Sequence, residues 1–124
     1  MLIVSDIGDF NCNTIEEYRK VLRRCVDIDT DYEIWCSEGE GTYPCMTILG
    51  NHNQAVVNYF SEENGNMYAS LGDVSQEGET EFKTNNSTYE IVDYQLIPLE
   101  LAMKCVDEFY GRIELPVCIQ WEEL

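Results

Sequence analysis

From Cys25 to Phe82 the chain contains no lysine and no arginine, although twelve aspartates and glutamates fall in that interval. Over the full 124 residues seven bases stand against 24 acids, a formal charge of −17. Binding to phosphate backbones or anionic lipid is built from lysine and arginine. A nucleic-acid or membrane-surface role is therefore excluded as an expectation. Four of the seven bases sit together at Arg19, Lys20, Arg23 and Arg24. So large a charge keeps a molecule soluble and apart from its own copies at the cost of self-repulsion, so a monomer is expected. The natural partner of such a surface is a basic protein; the plainer alternative is that the charge serves solubility alone.

Other absences narrow the chemistry. His52 is the only histidine, in the turn-like stretch Gly50 to Gln54. Nothing near it in sequence selects a cysteine or carboxylate partner, so a hydrolase built on His52 is the weaker reading against an exposed loop histidine. The six cysteines include no Cys-x-x-Cys and no Cys/His cluster spaced for zinc. Asp27-x-Asp29-x-Asp31 opens like a calcium loop, but the required glycine does not follow. Gly39-Glu40-Gly41 is too short to cradle a phosphate, and its acid would repel one. No catalytic, cofactor or metal residue is expected. The opening residues lack the basic and apolar regions of a signal peptide, and no run reaches membrane-spanning length. A cytoplasmic protein with reduced, core-packed thiols is expected, with a disulfide framework as the alternative.

What is present reads as one domain, residues 1–124. Thr14 with Glu17 forms a capping box ahead of Ile15, Tyr18, Leu22, Cys25 and Val26, which recur at helical spacing. The four bases fall on the solvated outer face of that helix, where Glu16 and Lys20 are spaced to pair. The period then changes to two. Tyr32, Ile34 and Cys36 share one side of a strand and Trp35 lies on the other. Strand-like runs follow around Cys45–Asn51 and Gln54–Ser61, and Asn64-Gly65 signals a tight hairpin. Residues 72–88 are polar loop with a weak strand at Thr80–Lys83, and Ser87–Tyr94 returns to strand character. A second helix is expected to open near Pro98 and stop at Gly111, and Val117–Trp121 to close the chain as a strand with Trp121 in the core. Consecutive strands without crossover helices predict an α+β fold: an antiparallel sheet of about five to seven strands, with an N-terminal and a C-terminal helix packed on it.

With no reactive centre in view, the candidate site is a surface. Glu38, Glu40, Glu62, Glu63, Asp73, Glu77 and Glu79 fall in turns or loops, with Tyr43 and Tyr68 near them in sequence. Aromatic anchors within an acidic rim are the composition of a protein-recognition face. The competing reading makes the tyrosines half-buried sheet residues and the acids solubilising.

Two blocks carry a resemblance. One is Pro98-Leu99-Glu100-Leu101-Ala102, then Phe109, Gly111, and Pro116 followed five residues on by Trp121 and Glu122. The other is the stretch Ala55–Asp73, with Tyr68, Ser70 and Gly72 in alternation after a polar turn. Together they resemble the first-numbered family of immunity proteins in bacterial polymorphic toxin systems. The resemblance covers residues 54–124, and the N-terminal half matches by element order. It implies a non-catalytic protein, encoded beside a toxin, that binds the toxin one-to-one in the cytoplasm and protects the producer in bacterial competition. Such toxins often look like nucleic-acid deaminases, whose basic grooves an acidic inhibitor can occupy in place of phosphate. The alternative is an acidic adaptor or regulatory domain that binds another basic protein.

Overall fold

The computed structural model describes residues 1–124. Helix α1 (Ile15–Val26) starts where the alternation of apolar residues at helical spacing begins. Thr14 stands before it in extended backbone, and its Oγ1 accepts the Glu17 N–H at 3.1 Å. This satisfies one of the donors that every helix start leaves open. Helix α2 (Leu99–Gly111) follows Pro98, which occupies the cap position rather than the first turn, and Gly111 is its last residue rather than the one beyond.

Ten strands surround these helices: β1 (Leu2–Ser5), β2 (Gly8–Asn11), β3 (Tyr32–Ser37), β4 (Cys45–Gly50), β5 (Gln54–Phe60), β6 (Met67–Leu71), β7 (Glu79–Lys83), β8 (Thr88–Val92), β9 (Ile97–Pro98) and β10 (Gln120–Glu123). The main sheet runs β10-β6-β5-β4-β3-β1-β2, with β9 beside β5 at Gln54 and Ala55. Every pairing is antiparallel. The fold is α+β, as the sequence predicts, but this sheet has eight strands rather than five to seven. Two of the eight carry almost no sequence signal. β2 has Phe10 as its one large apolar residue, and β9 is two residues long. Strands β7 and β8 form a separate hairpin.

Both helices pack on one face of the sheet. Tyr18, Leu22 and Cys25 of α1 and Ala102, Cys105, Val106 and Phe109 of α2 share a core with Ile3, Tyr32, Ile34, Cys36, Met46, Ile48 and Val57. The Tyr18 hydroxyl donates to the Val106 carbonyl at 3.1 Å, joining the helices. The outer face of α1 is not simply solvated. The Arg19 guanidinium forks onto Asp107 at 2.6 and 2.9 Å, and Arg23 onto Glu100 at 2.8 and 2.6 Å. Two of the four clustered bases thus clamp α1 to α2, and Arg24 lies over the Phe10 ring at 5.4 Å. The ion pairs of the fold join Arg19, Arg23, Lys83 and Arg112 to acids; Glu16 and Lys20 do not form one.

The two resemblance blocks serve this architecture. Ser70 is fully buried; its Oγ accepts the Val57 N–H at 3.0 Å and donates to the Gln95 carbonyl at 2.7 Å. The Gly72 N–H bonds the Tyr94 carbonyl, and a Cβ at Gly72 would meet the Leu96 carbonyl oxygen at 2.0 Å. Only glycine admits that approach. At the other block, Trp121 is half-buried against the main core, 6.5 Å from Tyr59, and its indole N–H donates to the Pro116 carbonyl at 2.7 Å. The last strand begins at Gln120, not Val117, which is 84% exposed. Asn64-Gly65 does sit in a hairpin connection, but residues 61–66 all belong to it, longer than a two-residue turn. No helix is long and apolar enough to cross a membrane.

Candidate protein-binding face

The face of the sheet away from the helices has two halves. Side chains alternate along each strand, so residues paired across strands share a face. The register Val4–Trp35–Thr47–Asn58 therefore puts these residues on the outer face, and Ser37, Cys45 and Phe60 with them. Nearer the other end of the same strands lie Leu49 and Val56, also outward. Those two are buried, because the β7–β8 hairpin lies over them. Phe82 of the hairpin is 0% exposed and closes a small second core with Leu49, Val56 and Leu96, flanked by Tyr89 and Ile91. The Lys83 N–H bonds Asp31 Oδ2 at 2.7 Å, which sews the hairpin to the segment before β3.

No helix or strand lies over the first half, although Cys45 and Thr47 in its floor are buried. Val4 is 36%, Trp35 40% and Tyr43 41% exposed. The Trp35 ring stacks on Phe60, centroids 5.7 Å apart and planes 14° from parallel. Its indole N–H donates to Glu33 Oε1 at 3.1 Å, which orients the ring and sets a carboxylate beside it. A groove of about 350 Å³ runs along this half, lined by Leu2, Val4, Trp35, Tyr43 and Cys45, with Glu40 at its edge. The wall is a formed one. Ser37 Oγ donates to the Gly39 carbonyl at 2.8 Å, Thr42 Oγ1 accepts the Gly39 N–H at 2.7 Å, and Gly41 turns the chain with φ +71°. A residue with a Cβ would be strained there.

Of the nine residues read from sequence, the topology gathers five and disperses four. The β3–β4 loop (38–44) and the β5–β6 connection (61–66) lie at the same end of the sheet, beside the bare half. That end holds Glu38, Glu40 and Tyr43 from the first and Glu62 and Glu63 from the second, all exposed. Asp73, Glu77 and Glu79 lie at the opposite end, in the connection from β6 to β7 and at its start. Asp73 serves its own turn: its carboxylate accepts from the Ser75 hydroxyl and N–H at 2.6 and 3.0 Å, bonds that hold it below the usual carboxylate range. Tyr68 is a correction. Its ring faces the helices, 6.1 Å from Tyr59 and half-buried against the main core, so it is not an anchor on this surface. Trp35, Phe60 and Val4 were not assigned to the site in sequence, although Trp35 stood out of phase with Tyr32, Ile34 and Cys36. That phase was the available signal.

Two polar depressions elsewhere are bridged by contacts that hold the fold together. A depression of about 320 Å³ between α1 and α2 is spanned by the Arg19 and Arg23 ion pairs. His52 lines another with Asp29 and Asp31, and its Nε2–H donates to the Ile28 carbonyl at 2.8 Å, pinning the β4–β5 turn to the α1–β3 connection. No group of three or more His, Cys, Asp or Glu side chains is placed to hold a metal ion. What the bare half offers is apolar area, a stacked aromatic pair with Glu33 beside it, and four more carboxylates at one end of a sheet whose strands from β3 to β6 contain no base. Such a face suits a partner with exposed arginine or lysine among apolar residues. No protein-family model and no curated protein matches the chain.

Proposed function

We propose that the protein is an immunity protein: it binds a cognate bacterial toxin and blocks that toxin's basic substrate-binding surface, with no catalysis of its own. The observation that carries this reading is the acid-rimmed aromatic groove on the uncovered half of the sheet. Trp35, Phe60 and Tyr43 supply rigid area that loses little conformational entropy on binding, and Glu33, Glu38, Glu40, Glu62 and Glu63 supply the opposing field. Opposed charge accelerates encounter, and desolvated aromatic contact sets the lifetime of the complex. A toxin that acts on nucleic acid presents the cationic groove such a surface complements. The resemblance of Pro98–Ala102, Tyr68–Gly72 and Pro116–Glu122 to the first-numbered immunity family points the same way and adds a deaminase as the toxin class and the cytoplasm as the place of action. The complex is one-to-one and buries on the order of 1,600 Å² in total.

The test is co-expression with the product of the adjacent gene. Rescue of growth, co-purification in equal amounts and loss of the toxin's activity on nucleic acid in the complex are the expected results. Capture of that product with its activity intact would instead make the protein an acidic adaptor, and failure to bind it would remove the reading.

A further inference from the structure

We propose that Cys105 and Cys118 are an oxidisable dithiol that closes to a disulfide in the folded protein, tying α2 to the segment before β10. Their sulfurs lie 3.1 Å apart, inside ordinary contact for two thiols, while a disulfide needs about 2 Å. Closing that gap takes a small movement, and the fold provides for it on one side. Cys105 is fully buried on α2, fixed among the core residues of that helix. Cys118 lies in the irregular stretch 112–119, partly exposed and outside any helix or strand. That stretch is held at two other points, by the Val117 N–H on Glu108 Oε1 at 2.9 Å and by the Trp121 indole on the Pro116 carbonyl. The cross-link would be its third tether.

The two positions also assign an order of events. Only Cys118 is open to solvent, so it meets the oxidant, and Cys105 resolves it from inside. With hydrogen peroxide, the Cys118 thiol first gives up its proton to solvent; the thiolate attacks the O–O bond, giving a sulfenic acid and hydroxide, which takes up one proton in its place to become water. The Cys105 sulfur then attacks Cys118 Sγ, the S–O bond breaks, and a second water leaves with the Cys105 proton. Two thiols are oxidised to one disulfide, and one peroxide is reduced to two waters. Burial, with Glu108 adding to it, holds both thiols above their ordinary range, so the resting state is the protonated pair. Cys12, Cys25, Cys36 and Cys45 are buried and serve as internal controls. This inference does not depend on the toxin reading.

The experiment treats the folded full chain with hydrogen peroxide, alkylates the remaining thiols in denaturant, and maps peptides by mass. The expected product has lost two hydrogens, links Cys105 to Cys118, and reverts with dithiothreitol. That linkage should exceed every other cysteine pairing by about tenfold or more, as proximity dictates. The melting temperature should rise by several degrees on oxidation. Cys118→Ser should abolish the link and the rise, and Cys105→Ser should leave a sulfenic acid at Cys118 that dimedone traps. Recovery of both residues as alkylated thiols, when free glutathione in the same tube is fully oxidised, would overturn the proposal with no variant required. So would a mixture in which other cysteine pairs are linked as often.

Discussion

The two halves of the outer sheet face are made of the same strands and have opposite fates. Over Leu49 and Val56 the chain lays its own hairpin and buries Phe82 completely. Over Val4, Trp35 and Phe60, two to four strand positions further along, no helix or strand is laid. Both halves carry large apolar side chains, so hydrophobicity alone does not tell a core from a contact surface. The covered half is satisfied within the chain, and its residues report on folding. The bare half keeps a tryptophan, a phenylalanine and a tyrosine in reach of solvent beside five carboxylates. An uncovered apolar patch of this kind on a sheet is where another molecule is expected to sit.

The largest effect separates the halves by stability. Phe82→Ala should cost roughly 3–5 kcal/mol, a buried aromatic replaced by a cavity, while Trp35→Ala should change stability by about 1 kcal/mol or less, as exposed positions do. Equal losses in chemical denaturation would erase the distinction. Next comes binding, where Trp35→Ala should weaken the proposed complex with a toxin by roughly 2–4 kcal/mol, measured by calorimetry on protein shown to be folded. Trp121→Ala sharpens the same contrast from the other side. It should destabilise by roughly 2–4 kcal/mol, since it removes packing on the main core and the bond to Pro116, and it should leave the affinity of the folded fraction unchanged.

Charge reversal should be smaller and should fall on the association rate. Glu62→Lys with Glu63→Lys should slow encounter about tenfold at low salt and flatten its salt dependence; Glu77→Lys with Glu79→Lys, at the far end of the sheet, should do neither. The smallest effect is on pH. The hydrogen bonds from Arg23 hold the Glu100 carboxyl below its ordinary value of 4.5. The unfolded chain therefore binds more protons than the folded one in that window, and stability rises with pH through it. The contribution is fully present above pH 4.5 and fades as pH falls through the depressed value. Glu100→Gln should remove that part of the acid slope in urea denaturation.

Much of this was legible because local chemistry and global fold agree. The Thr14 cap, the helical stripe of α1, the alternation of Tyr32, Ile34 and Cys36, and, after the unforeseen β1–β2 hairpin, the order of helix, hairpins, helix and strand carry into the structure. The misses have physical reasons. β7 shows one large apolar residue, Phe82, so its sequence could not reveal that it caps half of a sheet face. The acids read as one group were split because Glu62 and Asp73, eleven positions apart, sit at opposite ends of β6. Arg19 and Arg23 looked solvated because their partners, Asp107 and Glu100, lie 88 and 77 residues away. Tyr68 alternates correctly as a strand residue, but sequence does not say which face is covered by helices. Trp35 announced its face by its phase, and only the absence of a covering element gives that phase a meaning.

The central claim, that the uncovered half of the sheet is the working surface, is tested most directly by hydrogen–deuterium exchange of the protein alone and in complex with the proposed toxin partner. Protection gained on binding should concentrate in residues 33–45 and 60–66, with 27–31, 51–53 and 73–79 unchanged. Protection confined to the latter three segments, or to the β7–β8 hairpin, would contradict it.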